Sequence, residues 1–441
     1  MAKTSSKERT ALIGAFIGNS LEWFDFFVFG TAAALVFGPV FFPDVDAGTG
    51  LLASFATLWV GFLTRPLGAF VFGHFGDKFG RKNVLLATLL LMGVSTTLIG
   101  LLPTYAQVGL LAPILLVLLR AAQGLAVGGE WGGAVLIATE HADVKRKTVA
   151  GAWVQQGSPV GSLLATGSFL LVGMLPDEDF FAWGWRLPFL FSVVLVVVGI
   201  VLRLRVTESE EFLETKQAGA TERAPAIRVF TQAPLILILA ILASIMAIAN
   251  AYFTNTFLLA WATGPLGFDR QVILNVLVGA SVVQFFTQLL AGHAAQRFGR
   301  TRVMAVGLGV GILLIVPYFA AITSGNLLFI TLTLWLSFGS ICSYFAVLAS
   351  FLAYAFPPQI RYSGISLSYQ LCSSLIGGPT AFIAQWVLNA SGNNPWAVAV
   401  FYAALLIATL TGCVLLGRVI ARRDTASAPS AEVASTYPTT A

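Results

Sequence analysis

Charge is scarce in this chain. Asp, Glu, Lys and Arg make up 10% of its 441 residues while hydrophobic residues make up 57%, and the mean hydropathy is +0.85. So little polar side chain cannot cover a water-soluble domain of this length, and the composition places the chain in a bilayer. Histidine and cysteine number three each. Cys342, Cys372 and Cys413 fall in apolar runs without metal or disulfide spacing and read as packing residues. His74 and His293 sit at matching loop positions, and His141 follows Glu140 at a helix end, so none reads as a metal ligand. No phosphate-binding glycine loop, His-Glu-x-x-His pattern or catalytic triad spacing occurs, which argues against an enzyme and against a bound cofactor.

Long apolar runs are what the chain has in abundance. They lie near 11–38, 51–73, 83–102, 107–138, 148–174, 184–204, 232–260, 271–294, 302–322, 326–353, 362–389 and 396–418. Each is long enough to cross a hydrocarbon core of roughly 30 Å at about 1.5 Å per residue. They are numbered below as spans 1 to 12, and they predict an all-α membrane protein. The formal net charge is +5, and its placement says why. With the N-terminus inside, every Lys and Arg falls in an inner loop or tail except Arg65, Arg120, Arg186 and Arg270, while Asp44, Asp46, Asp177, Glu178, Asp179 and Asp269 fall outside. This is the positive-inside pattern along the whole chain, so the basic balance reports topology and not nucleic-acid binding. Both termini are expected to be cytoplasmic. The first run carries Glu22 and Asp25 and is too long for a signal peptide's apolar region, so it reads as a retained helix.

The chain also repeats itself. Gly73-His74-Phe75-Gly76-Asp77-Lys78-Phe79-Gly80-Arg81 returns as Gly292-His293-Ala294-Ala295-Gln296-Arg297-Phe298-Gly299-Arg300, each a short basic turn between apolar runs. Two related halves of six spans follow, joined by the charged stretch around 203–231. The predicted division is a first bundle at 1–202, a cytoplasmic link at 203–231, a second bundle at 232–420 and a disordered tail at 421–441. Gly73, Asp77, Gly80, Arg81, Gly292, Gly299 and Arg300 are the candidate gating residues. Asp77 can latch against a helix N-terminus, and Gln296 in the second copy makes that latch weaker there.

Charges inside spans are the sharpest signal, because each costs a few kcal/mol near the bilayer centre unless it faces a partner or a wet cavity. Asp25 in span 1 and Arg120 in span 4 fall roughly 18 to 27 Å from the inner end, and Glu22, Arg65 and Glu130 roughly 12 to 14 Å from it, by helix rise. This predicts an Asp25–Arg120 pair near midplane with a Glu22, Arg65, Glu130 set below. A carboxylate that loses its arginine in a poorly solvated site takes a proton, so Asp25, Glu22, Arg120 and Glu130 are candidates for proton coupling. A purely structural ion pair locking spans 1 and 4 accounts for the same residues. The planar donors of Arg120 also suit a carboxylate ligand.

The second half offers polar but uncharged groups. Substrate-contacting candidates are Arg120 and Arg65 with Gln156, Tyr252, Asn255, Gln284, Tyr344 and Gln370, although interhelical hydrogen bonding explains any one of the neutral ones equally well. Thr254, Gln288 and Tyr369 are further polar residues in those spans. Span 5 carries Gln155-Gln156-Gly157-Ser158-Pro159-Val160-Gly161, which predicts a bend, and Gly377-Gly378-Pro379 answers it in span 11.

The loop at Gly73 to Arg81 resembles the signature of the major facilitator superfamily. More narrowly, Gly18-Asn19-Ser20-Leu21-Glu22-Trp23-Phe24-Asp25-Phe26, Arg65-Pro66-Leu67-Gly68, Arg120-Ala121-Ala122-Gln123-Gly124 with Gly128-Gly129-Glu130-Trp131, and Gly184-Trp185-Arg186-Leu187-Pro188-Phe189 resemble the metabolite:proton symporters. The resemblance implies two pseudo-symmetric six-helix bundles in the cytoplasmic membrane, protons as coupling ion, and a monomer. It implies uptake of a small organic acid by alternating access, or of a zwitterionic osmolyte such as proline or betaine. An exporter is a more distant alternative. It also implies that Asp25 and Arg120 are arranged like the acid and arginine of proton-coupled sugar porters.

Overall fold

The computed structural model describes residues 6–79, 81–128, 153, 155–204 and 225–426, and no strand occurs among them. Nine helical segments there are long and apolar enough to cross a membrane. Leu86–Gly100 and Gly157–Val172 are shorter apolar helices, and Ser6–Leu35 supplies span 1, so each predicted run has its helix. Five spans are broken. Span 2 is Ala47–Leu63 followed by Arg65–Phe79, and span 9 is Arg300–Leu313 followed by Ile315–Ser324. Span 5 resumes as Gly157–Val172 after a turn at Gln156. Pro159 thus lies in the first turn, where its missing N–H costs nothing, and the predicted bend is there.

Spans 7 and 11 each contain a π-turn, Phe253–Leu258 and Ser373–Gly377. Only the second was signposted, by Gly377-Gly378-Pro379. Such turns widen a helix by one residue and leave carbonyls free for other partners. Ser374 uses the freedom to join the halves: Trp59 Nε1 donates to its carbonyl at 2.8 Å, and its hydroxyl donates to the Phe62 carbonyl at 2.7 Å.

Close helix approach explains the glycines of span 4. A Cβ on Gly124 would fall 2.0 Å from the Gly61 carbonyl oxygen, and one on Gly128 would fall 2.0 Å from that of Arg65. Gly68 answers from span 2, with its would-be Cβ 2.0 Å from the Leu125 carbonyl oxygen. Spans 2 and 4 therefore touch backbone to backbone, as small residues permit where no hydrophobic effect drives association. Gly124→Ala is expected to push them apart, an overpacking cost of about 1–3 kcal/mol, read as a lower thermal midpoint in detergent. Gly167→Ala, whose Cβ would meet nothing within 4 Å, is the control and should leave the midpoint unchanged.

Several sequence expectations change. The two nine-residue turns are mostly helix: Gly73 and Asp77 lie within Arg65–Phe79, and Arg81 opens the next helix. Gly292 is buried within Arg270–Phe298 and Arg300 opens span 9, so the second turn contracts to Gly299 at φ 89°, a conformation that favours glycine. Gly80 and Glu130 lie outside the described residues, as does the side chain of Asp77. Pro225–Gln232 is a helix inside the predicted link, and span 12 runs on to Ala426, past the predicted boundary.

The end of the bundles that the positive-inside pattern assigns to the exterior is called the outer end below. There Asp46 caps span 2, accepting from Thr49 N at 3.1 Å and from the Thr49 hydroxyl at 2.5 Å. These bonds, the hydroxyl's first, hold its carboxyl below the usual range.

Candidate functional site

Five charged or phenolic side chains converge between the halves, all nearly inaccessible: Arg120 and Tyr252 are 1% exposed, Asp25 and Arg65 4%, and Glu22 7%. The aromatic run of span 1 builds their floor. Arg65 lies with its guanidinium carbon 4.4 Å from the Phe26 ring centroid and 4.1 Å from that of Phe62. Arg120 lies 4.2 Å from Phe29 and 5.4 Å from Phe26. Stacking on ring faces offsets part of the cost of burying two cations together.

Span 4 fixes Arg120 from its own side. Arg120 Nη1 donates to Gln123 Oε1 at 3.1 Å, and Gln123 Nε2 donates to the Thr96 hydroxyl at 2.6 Å. Gly61 leaves room for the guanidinium, since a Cβ there would stand 2.5 Å from Arg120 Nε. Arg120 Nε and Nη2, Arg65 Nε and the Tyr252 hydroxyl make no hydrogen bond of ordinary geometry among the described residues, and Tyr252 stands close enough to Arg120 for a weak one. Planar donors are thus left aimed into the protein, which is how a guanidinium awaits a carboxylate.

The acids and the second half complete the set. Asp25 interacts electrostatically with Arg120, Glu22 with Arg65, and the two arginines with each other. The predicted upper pair and the Glu22 and Arg65 of the lower set therefore form one cluster, because both arginines reach over Phe26; Glu130 lies outside the described residues. Tyr252, from span 7, stands within electrostatic reach of Arg120, Arg65 and Glu22. Its ring packs on Phe62 at 5.1 Å and Phe27 at 6.4 Å. Tyr369, from span 11, also faces Arg65, Glu22 and Tyr252. The sequence places it only among the further polar residues of the second half, and its position beside Gln370 in span 11 was the signal available. Phe26 and Phe62 were missed because aromatic residues in apolar spans look like lipid-facing or core positions.

The remaining neutral candidates divide. Gln156 and Gln370, like Gln288, are buried with both amide atoms unpartnered among the described residues. Gln284 Nε2 donates to the Ser158 hydroxyl at 3.3 Å and its Oε1 is unpartnered. Asn255 donates to Ala251 carbonyl at 3.0 Å and accepts from Ser162 Oγ at 3.4 Å, across the halves. Tyr344 is a correction. Its hydroxyl donates to the Ala243 carbonyl within the second half, beside Cys372, Cys413 and Tyr369, so its one donor is spent inside the bundle while it stands next to a phenol of the cluster.

Arg186 is accounted for by structure. It donates to the Gly100 carbonyl at 3.0 Å and the Leu102 carbonyl at 2.5 Å, closing the end of span 3, and lies 4.5 Å over Trp185. Arg423 does the same at the end of span 10, donating to Ala355 and Tyr354 carbonyls at 3.0 and 2.5 Å. Arg300 lies 3.7 Å over the Tyr354 ring beside it.

The family model for sugar and other transporters matches residues 10–235. The chain is 39% identical over 421 residues to the shikimate transporter of Escherichia coli K12, covering 93% of this chain and 95% of that one. It is 31% identical over 433 residues to the proline/betaine transporter of the same strain, covering 96% and 85%. The xylose transporter XylE from E. coli, solved in a partially occluded inward-open conformation, superimposes with a TM-score of 0.74 at 16% identity, covering 94% of this chain and 98% of that one. The likeness to XylE is one of fold.

Proposed function

The chain belongs to the metabolite:proton symporters of the major facilitator superfamily, and from that membership we propose that it imports a small organic acid together with protons. It is a multi-pass inner-membrane transporter and not an enzyme. The observation that carries the finer reading is the pair of buried guanidiniums, with three N–H groups that make no hydrogen bond of ordinary geometry among the described residues, within electrostatic reach of Asp25, Glu22, Tyr252 and Tyr369. A substrate carboxylate takes those donors. Asp25 then loses its counter-ion, and uptake of a proton removes the uncompensated charge. The phenols bring the second bundle onto the occupied site, and the bundles rock about it by alternating access. Glu22 is a second proton carrier in this reading. The neutral amides of Gln156, Gln284 and Gln370 hold the rest of the molecule.

The proposal includes the division at 1–202, 203–231 and 232–420, cytoplasmic termini and a monomer. The observation favouring a zwitterionic osmolyte instead is that each arginine already has an acid in reach, so the cluster has no clear excess of positive charge; the proline/betaine relative agrees with it. Uptake of labelled carboxylates and betaines into vesicles, with and without an inward proton gradient, tests both. Gradient-driven accumulation of a carboxylate is expected. Accumulation of betaines alone would transfer the assignment to osmolytes, and uptake indifferent to pH on either side would end the proton-coupled reading.

A further inference from the structure

Among the described residues, Arg270 is the one cation on the outer side that neither the central cluster nor a cap within its own bundle absorbs. It opens span 8, in the second half, yet its contacts are with the first. Its Nη2 donates to the Gly173 carbonyl at 3.0 Å and pairs with Asp177 Oδ1 at 3.1 Å. Its guanidinium carbon stands 3.9 Å from the Phe180 ring centroid. The next residue, Gln271, donates through Nε2 to the Leu170 carbonyl at 3.1 Å. Leu170 and Gly173 stand at the end of span 5 (Gly157–Val172, capped by Gly173), where carbonyls lack intrahelical partners. The second bundle therefore caps a helix of the first. A Cβ on Gly173 would fall 2.7 Å from the Phe169 carbonyl oxygen of its own helix, 2.9 Å from Gln271 Nε2 and 3.4 Å from Arg270 Nε, so it would disturb this contact.

We infer that Arg270 is an outer latch, a positioning residue that holds the outer ends of spans 5 and 8 together and sets how often the transporter opens outward. This rests on the reading that the bundles rock. The contact suits a reversible device, because separated helix-end carbonyls, carboxylate and guanidinium at the outer surface are simply rehydrated. A lock buried at the centre would have no such water to turn to. The guanidinium carries most of it. Arg270 is 17% exposed while Asp177 is 81% exposed, and an ion pair with so exposed a carboxylate contributes little. Nearer mid-span the same interface is held without charge: the Ser162 and Ser281 hydroxyls stand 2.9 Å apart, and Gln284 Nε2 donates to the Ser158 hydroxyl at 3.3 Å. Those bonds do not distinguish outside from inside, whereas the Arg270 contacts exist only when the outer ends meet.

The test reads opening directly. Cysteines placed by Ala106→Cys and Thr323→Cys, on exposed outer residues of the two halves, carry spin labels; the native Cys342, Cys372 and Cys413 are buried. The interlabel distance is measured in nanodiscs without substrate or gradient. Arg270→Gln is expected to raise the ratio of long to short distances about tenfold, the loss of a charged hydrogen bond and a cation–π contact. Asp177→Asn should raise it no more than about twofold, as an exposed pair allows. Gly173→Ala should act in the direction of Arg270→Gln without altering any charge. A distance distribution unchanged in Arg270→Gln, with the protein still monodisperse, overturns the inference. Should that variant misfold, Gly173→Ala and Arg270→Lys decide it, and two unchanged distributions overturn it equally. Cargo and proton play no part in the measurement, so failure of the proton-coupled reading leaves its outcome standing.

Discussion

Arg120→Lys is expected to weaken substrate binding by about 10- to 100-fold, the scale of one lost charge-assisted hydrogen bond, and to reduce uptake in proportion at low substrate concentration. Lysine keeps the positive charge but has no planar fork. It cannot hold Gln123, face Phe29 and present two further donors together, as Arg120 does through Nη1, its ring stacking, Nε and Nη2. Gly61 is shaped to the guanidinium and would leave a gap beside an ammonium. Substrate-induced fluorescence change or equilibrium binding measures the affinity directly. Affinity equal to wild type would mean that Arg120 only ties spans 1 and 4 together. Arg65→Lys is less decisive, because its guanidinium lies against both Phe26 and Phe62 and loss of that contact alone weakens the fold.

Much of this arrangement was legible before any coordinates, and the reasons differ by residue. Spans were readable because the bilayer sets their length. Asp25, Arg120, Glu22 and Arg65 announced themselves through the cost of a charge in hydrocarbon. Their merger into one cluster was not readable, since helix rise gives depth along the axis but not the rotation that points both arginines at Phe26. Tyr344 and Tyr369 show the same limit. Both are tyrosines in apolar spans of the second half, and only packing decides that one hydroxyl is spent on the Ala243 carbonyl while the other faces Arg65. The π-turn at Phe253–Leu258 has no sequence marker at all, whereas that of span 11 lies against Gly378 and Pro379. The short turns were misjudged because glycine and basic residues near a membrane surface suggest a loop, although a helix can project past the hydrocarbon with its last turns in water.

The four arginines outside the positive-inside pattern now have separate tasks. Arg186 closes a helix within one bundle. Arg270 closes a helix of the opposite bundle, which is why its bonds are sensitive to the bundles' relative position. Arg65 and Arg120 lie at the centre with donors to spare. A cation on the wrong side of the topology is thus a pointer to a task, and the task follows from whether its acceptors belong to the same bundle, to the other, or to no described residue.

Asp25→Asn is expected to abolish accumulation against a concentration gradient while leaving exchange of labelled for unlabelled substrate within about threefold of wild type, a change of well under 1 kcal/mol. Asparagine is nearly isosteric, so the packing of span 1 against Arg120 survives, but the amide cannot take up and release a proton in this range. If Asp25 must be protonated for the loaded bundles to reorient, the neutral amide mimics the protonated state permanently. Loaded carrier then moves in both directions, which exchange requires, while the proton gradient has nothing to act on. Substrate binding should also lose the pH dependence that the wild-type protein shows in the same vesicles. A structural role predicts a different pattern: exchange and accumulation fall together, and pH dependence persists. Full accumulation in Asp25→Asn would move the coupling to Glu22, the acid within electrostatic reach of Arg65, and Glu22→Gln in the same assay would then carry the loss.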